Sequence, residues 1–274
     1  MKRFFLISTV SIFLLAFINN TEERTKFFPK VTDYPSYLAQ KENIWVFILA
    51  GQSNMAGRGQ VEPEDTISHP RIYSINMDDE LILAKEPVHF YEPTLTGLDC
   101  GLSFARNMIE KLNDSIHIAI FPTAVGGSSL HQWLGDSLHR KVKLLSNFED
   151  KVSKAQEIGI VKGILWHQGE NEANEEYIPK YENSLNALFK QFRLIAGDNE
   201  LPILLAQLGS FFPEQSKWDQ INASMENYTN KDKYSAIILT NDLEHKGDSL
   251  HFDAKSQRLM GERFANAYFD EFLN

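Results

Sequence analysis

The run Ile44 to Ala50, IWVFILA, constrains the fold more than any other stretch of this chain. It is a short, mostly β-branched or aromatic run with no polar residue. That is the signature of a strand covered on both faces rather than of an amphipathic helix. Strands of that kind belong to parallel sheets sandwiched between helices. The run breaks at Gly51-Gln52-Ser53-Asn54. Open α/β sheets gather their reacting groups beyond the carboxyl ends of the strands. Ser53 stands at such an end, with its hydroxyl clear of the sheet and its N–H available to a developing oxyanion. Gly, Ser and Asn also make ordinary turns, so the rest of the chain has to discriminate.

Apolar runs and amphipathic stretches alternate after this point. Strands are expected at 71–76, 116–125, 160–166, 202–208 and 235–240, and helices at 101–112, 142–158, 175–196, 216–228 and 253–272. Residues 81–96 read as irregular, with Pro87 and Pro93. Such β-α alternation predicts a mostly parallel sheet with helices on both faces, a three-layer α/β/α sandwich. Three strand ends carry small or polar clusters: GQSN at 51–54, GGSS at 126–129 and HQGEN at 167–171. Their recurrence at equivalent ends favours a functional reading.

The first 20 residues look like an export leader. Lys2 and Arg3 precede the apolar Phe4 to Ile18, shorter than the about 20 residues of a membrane span and suited to a signal-peptide core. No clear small-residue cleavage site follows, so an uncleaved N-terminal anchor stays open. Residues 21–42, polar with Pro29 and Pro35, read as a tail or linker, and 43–274 as one catalytic domain. The formal charge of −10 argues against nucleic acid and anionic membrane surfaces as partners. Cys100 is the only cysteine, so no intrachain disulfide forms; a buried small hydrophobe is its expected role.

A serine nucleophile needs a base and a group to orient it. Among eight histidines, His251 lies between the last strand and the last helix, three residues after Asp248. That spacing lets the carboxylate hold Nδ1–H while Nε2 faces the serine. Gly-Asp-Ser-Leu-His occurs twice, at 135–139 and 247–251. The first copy does not follow a core strand, so Asp136 and His139 read as loop residues. Ser137 and Ser249 follow no buried strand either. A nucleophile elbow, G-x-S-x-G, is absent at Ser53, which argues against the α/β-hydrolase arrangement.

GQSN after the first strand, Ala124 to Trp133 (AVGGSS-x-x-x-W), Trp166 to Asn171 (WHQGEN) and the late D-x-x-H occur in order. Together they resemble the SGNH-hydrolase superfamily, and within it the sialate O-acetylesterase and acetylxylan esterase group, carbohydrate esterase family six. The resemblance covers residue 42 to the C-terminus. It implies a flavodoxin-like α/β/α domain that removes O-acetyl groups from carbohydrates without metal or cofactor. It further implies Ser53 as nucleophile, His251 as base, and an oxyanion hole of the Ser53 N–H, the Gly127 N–H and the Gln168 amide. Gly127 is preferred to Gly126 from its place in the motif. Asp248 is the expected acid. Glu170 is a second candidate acid or a structural carboxylate. Gln52, Asn54, Arg58, Trp133 and Asn171 are candidate substrate contacts, although Arg58 also suits a structural ion pair and Trp133 suits packing. His131 is a weaker pocket candidate, and His117 reads as structural. No H-E-x-x-H, clustered His/Cys set or phosphate loop occurs, so neither metal nor nucleotide is expected. The alternatives are a lipase- or thioesterase-type SGNH enzyme acting on another acyl ester, and a non-catalytic carbohydrate-binding module. The leader implies an exported protein.

Overall fold

The computed structural model describes residues 23–273; the leader-like residues 1–20 lie outside them. β1 (Ile44–Gly51) is the central strand. It pairs in parallel with β4 (His117–Pro122) on one side and β7 (Ile160–His167) on the other. β2 (Ile72–Ile75) and β3 (Leu81–Leu83) extend the sheet beyond β4, and β8 (Ile203–Ala206) and β9 (Ser235–Ile238) extend it beyond β7. The order is β3-β2-β4-β1-β7-β8-β9, parallel throughout except for the short β3 edge.

The pleat sends alternate β1 residues to opposite faces. Val46, Ile48 and Ala50 enter one core, and Phe47 and Leu49 the other. The first core lies beneath α3 (Leu144–Ile158), α4 (Tyr181–Ala196) and α5 (Gln215–Thr229), with Phe148 stacked on Phe192 at 4.0 Å between centroids. The second lies beneath α1 (Gly101–Lys111) and α6 (Ala254–Phe272), through Phe104, Met108, Met260 and Phe264. The molecule is therefore the α/β/α sandwich that the alternation predicts.

Two departures have local causes, and a third is the short β3. The expected 175–196 helix begins only at Tyr181, after a 3-10 turn at Ile178–Lys180. Pro179 lacks an N–H and its ring would clash with the carbonyl of Glu175 in a continuous helix. The helix expected from Val142 starts at Leu144, because β6 (Val142–Lys143) pairs with β5 (Leu138–His139) as a small hairpin. β3 lies inside the stretch expected to be irregular. The described part of residues 21–42, expected as a tail or linker, docks on the domain: the Leu83 N–H of β3 donates to Asp33 O at 2.8 Å, and Tyr37 meets His117 edge-on. A further short helix, α2 (Leu130–Leu134), follows β4 and is capped by Ser129.

Candidate active site

The end of β1 is forced to turn by its neighbour. Gly51 has φ +137°, and a Cβ there would sit 2.1 Å from His167 O. Only glycine permits that approach. The Gln52 N–H donates to His167 O at 3.0 Å, and the chain coils through Ala56 N–H to Gln52 O at 2.8 Å. Ser53 is presented on this coil at the carboxyl edge of the sheet, where its N–H meets no acceptor among the described residues.

The base arrives from the loop between β9 and α6. His251 Nε2 lies 3.0 Å from Ser53 Oγ, and Nδ1 lies 2.8 Å from Asp248 Oδ2. Asp248 Oδ1 accepts the N–H groups of Leu250 at 3.0 Å and His251 at 2.8 Å, so one carboxylate shapes both the loop and the ring. Burial pulls the Asp248 carboxyl upward, but the His251 backbone N–H, the imidazole and the Leu250 N–H outweigh it and leave it below its ordinary value. Burial is also the largest influence on His251. It overcomes the Asp248 carboxylate and, with Lys246 and Arg58, holds the imidazole below its ordinary value. A neutral ring with Nε2 on a serine hydroxyl can accept that proton.

Glu170, the second candidate acid, does not touch His251. Its Oε1 accepts Asn54 Nδ2 at 2.6 Å and lies 3.9 Å from His167 Nδ1. Asn54, expected to meet substrate, is instead an internal bracket. Its Nδ2 also donates to Leu250 O at 3.2 Å, its Oδ1 accepts the Phe252 N–H at 3.1 Å, and its carbonyl accepts Gln257 Nε2 at 2.8 Å. The serine turn is thereby tied to the loop that carries the base.

The GGSS loop supplies the third wall. The Gly126 N–H donates to Glu92 Oε2 at 2.6 Å, whereas the Gly127 N–H has no acceptor among the described residues. A Cβ on Gly126 would lie 2.2 Å from Arg58 Nη2 and 2.6 Å from Glu92 Oε2, so this glycine makes room for a buried ion pair. Asn171 Nδ2 holds Gly127 O at 2.6 Å, and His139 Nε2 is 2.9 Å from Gly126 O. His139 thus supports the loop from the first Gly-Asp-Ser-Leu-His copy, while Asp136 binds Ser146.

Two expectations need correction here. Gln168 is fully buried, and its amide is committed to the Glu172 carboxyl and to Ser128 O at 3.3 Å. It does not line the cavity at Ser53. Burial raises Glu172 to about 7, and the Gln168 and Leu130 N–H groups work against that rise. Trp133 is not a pocket residue either. It is wholly buried in the first core, with Nε1 donating to Ser128 Oγ at 2.9 Å. His131 is exposed and lines a separate hollow beside Tyr177. His117 is buried on Tyr73 Oη at 2.7 Å, and Cys100 is buried beside Met55.

Ser53, His251, Asp248, Gln52, Arg58, Gly127, Glu170 and Asn171 all border one open cavity of about 650 Å³. Its walls include residues that sequence reasoning missed: Arg24, Thr94, Leu95, Arg140, Phe212 and Lys246. Arg58 does form the expected structural pair, with Glu92 at 2.8 Å, and Arg140 binds the other oxygen of the same carboxylate. Glu92 carries no local sequence signal. Only the fold brings it beneath Gly126. Among the described residues, no group of three or more His, Cys, Asp or Glu is placed to hold a metal ion.

A family model described as carbohydrate esterase, sialic acid-specific acetylesterase, matches residues 43–270. The chain belongs to this family. A probable carbohydrate esterase of Arabidopsis thaliana is 27% identical over 247 residues, 83% of this chain and 91% of that protein. A solved Arabidopsis thaliana structure matches at a TM-score of 0.74, with 24% identity over 83% of this esterase and 98% of that chain. A carbohydrate acetylesterase from Xanthomonas citri matches at 0.64, with 19% identity over 84% of this chain and 56% of that one. The esterase is thus a carboxylic ester hydrolase on an SGNH-type fold. Among its described residues, no helix is long and apolar enough to cross a membrane.

Proposed function

We propose that this esterase removes acetyl groups from O-acetylated acidic sugars, of the sialate type, through an acetyl-Ser53 intermediate. The observation that carries the mechanism is the unbroken line Asp248–His251–Ser53, at 2.8 and 3.0 Å. His251 Nε2 takes the Ser53 proton as Oγ attacks the acetyl carbonyl. The oxyanion forms against the Ser53 and Gly127 N–H groups, which are free of other acceptors among the described residues. The C–O bond to the sugar breaks, and the sugar oxygen leaves with the proton from His251. Water then attacks the acetyl carbonyl with His251 again as base, releasing acetate and restoring Ser53.

The acidic sugar is favoured by charge. Arg58, Arg140 and Lys246 border the cavity, and Glu92 is the carboxylate shared by the two arginines. Cations grouped along a cleft attract an anionic ligand even on a chain of net negative charge. The leader-like residues 1–20 put this activity outside the cytoplasm in the same reading.

The test is acetate release from 4-nitrophenyl acetate, acetylated xylan and O-acetylated sialic acid. Ser53→Ala and His251→Ala should each lose at least about a thousandfold in kcat on every ester turned over. His139→Ala should lose far less. Retention of activity by Ser53→Ala would sink the mechanism. A preference for acetylated xylan would move the substrate to neutral glycans.

A further inference from the structure

The family match begins at residue 43, yet one wall of the cavity comes from outside it. Arg24 lies in a helical turn of the N-terminal segment and borders the same cavity as Ser53 and His251. Its guanidinium donates to Thr96 O and, at 3.1 Å, to Pro93 O, the ends of the Thr94–Leu95 rim. Gln60 Nε2 holds the segment in turn, donating to Glu23 O at 3.0 Å. Arg24 therefore sits in a built position.

Its charge has no carboxylate partner among the described residues. Around it stand Arg58 and Arg140, which already divide Glu92 between them, and Lys246, whose nearest acid is Asp248 at 3.7 Å. Asp248 is committed to His251. Burial and, after it, the neighbouring Arg58 charge pull the Arg24 guanidinium below its ordinary value. Two carbonyl contacts leave N–H groups of its planar fork unused, and that fork suits a carboxylate bound through both oxygens.

We propose that Arg24 is a specificity residue of the esterase: it completes a carboxylate subsite beside Ser53, and the N-terminal segment is therefore part of the substrate site. This rests on the acidic-sugar reading above. The substrate carboxylate binds the Arg24 fork, with Arg58, Arg140 and Lys246 supplying the surrounding field, and the acetyl ester reaches Ser53 from there.

The experiment compares KM and kcat of the full chain for O-acetylated sialic acid and for acetylated xylo-oligosaccharide, in wild type, Arg24→Gln and Arg24→Lys. Arg24→Gln should raise KM for the acidic ester about tenfold, the loss of one partly exposed charge-assisted contact. KM for the neutral ester and both kcat values should stay within about twofold of wild type, since the subsite binds ground and transition states alike. Added salt should raise the acidic-ester KM more in wild type than in Arg24→Gln. An equal rise for both esters would make Arg24 a clasp on the 93–96 rim and overturn the inference. So would an unchanged acidic-ester KM in a wild type that prefers that ester. If wild type itself shows no preference for the acidic ester, the substrate reading falls first. Should Arg24→Gln unfold, Arg24→Lys decides the matter. It keeps the charge but not the fork, so it should raise the acidic-ester KM alone and by a smaller factor. A rise shared by both esters refutes the subsite.

Discussion

Removing the Asp248 carboxylate tests the geometry of the base most directly. Asp248 contributes one charge-assisted bond to His251 Nδ1 at 2.8 Å and accepts two backbone N–H groups of its own loop. Charge-assisted bonds are worth about 1.5–3 kcal/mol. The Asp248 side chain is 37% exposed, so solvent screening puts it at the low end. About 1.5–2 kcal/mol converts to roughly a 10- to 30-fold loss of kcat/KM in Asp248→Ala. Asp248→Asn should lose more. Its amide can present N–H to Nδ1, which moves the ring proton to Nε2 and leaves Ser53 without an acceptor. The pH profile adds a signed check. Burial already holds the imidazole below its ordinary value, with Asp248 opposing that effect. The acid limb of kcat/KM should therefore have its midpoint below 6.5 in wild type. In Asp248→Ala it should move to still lower pH as the plateau drops. Stopped assays of 4-nitrophenyl acetate from pH 4 to 9 read both quantities. An alanine variant within twofold of wild type would refute the reasoning, as would an acid limb that moves upward. An equal shift in Glu170→Gln would hand the orienting role to Glu170.

Other perturbations address the frame around this line. Gly126→Ala puts a Cβ against the Arg58–Glu92 pair and should cost about 1–3 kcal/mol of stability, read as a lower denaturant midpoint. Asn54→Ala removes the partner of Glu170, Leu250 O and the Phe252 N–H. It should cost about 2 kcal/mol or more and lower kcat even in the folded fraction. Trp133→Phe should lower Tm while leaving the ratio of KM values between acidic and neutral esters unchanged, because that ring faces the core. Glu86 is fully buried with one oxygen lacking a partner among the described residues, and burial, Asp99 and Asp65 push its carboxyl well up. Its folded value thus exceeds its unfolded one. Unfolding free energy should be fullest below about pH 4.5 on this account and fall as pH rises. Urea melts of Glu86→Gln should show a smaller fall between pH 5 and 8, and an identical fall in both proteins would refute it.

Much of this was legible along the chain because its signals are local. A both-faced apolar run such as Ile44 to Ala50 declares a central strand, and Asp248 with His251 lie within one short loop. The parts that escaped are those whose partners are distant. Asn54 reads as a turn residue until Leu250 and Phe252, nearly two hundred positions later, are brought against it. Glu92 lies in a stretch without periodicity, and nothing local shows that Gly126, Arg58 and Arg140 will close around it. Their motifs put Trp133 and Gln168 near the site. Motif position gives proximity to Ser53 but not the direction a side chain takes, and both turn inward, one to the first core and the other to Glu172. Arg24 reads as part of a tail because polar composition says nothing about docking.

The bracket at Asn54 separates two kinds of freedom in this molecule. Nucleophile and base ride on one small clasp, so a shift of the last helix carries His251 and Ser53 together rather than apart. The Thr94–Leu95 rim and Phe212 are not fastened to that clasp by any hydrogen bond among the described residues. Those walls can be lengthened, shortened or recharged while the reacting atoms keep their spacing. Re-engineering this esterase for a different sugar is accordingly a problem in remodelling the rim, with the chemistry carried along unchanged.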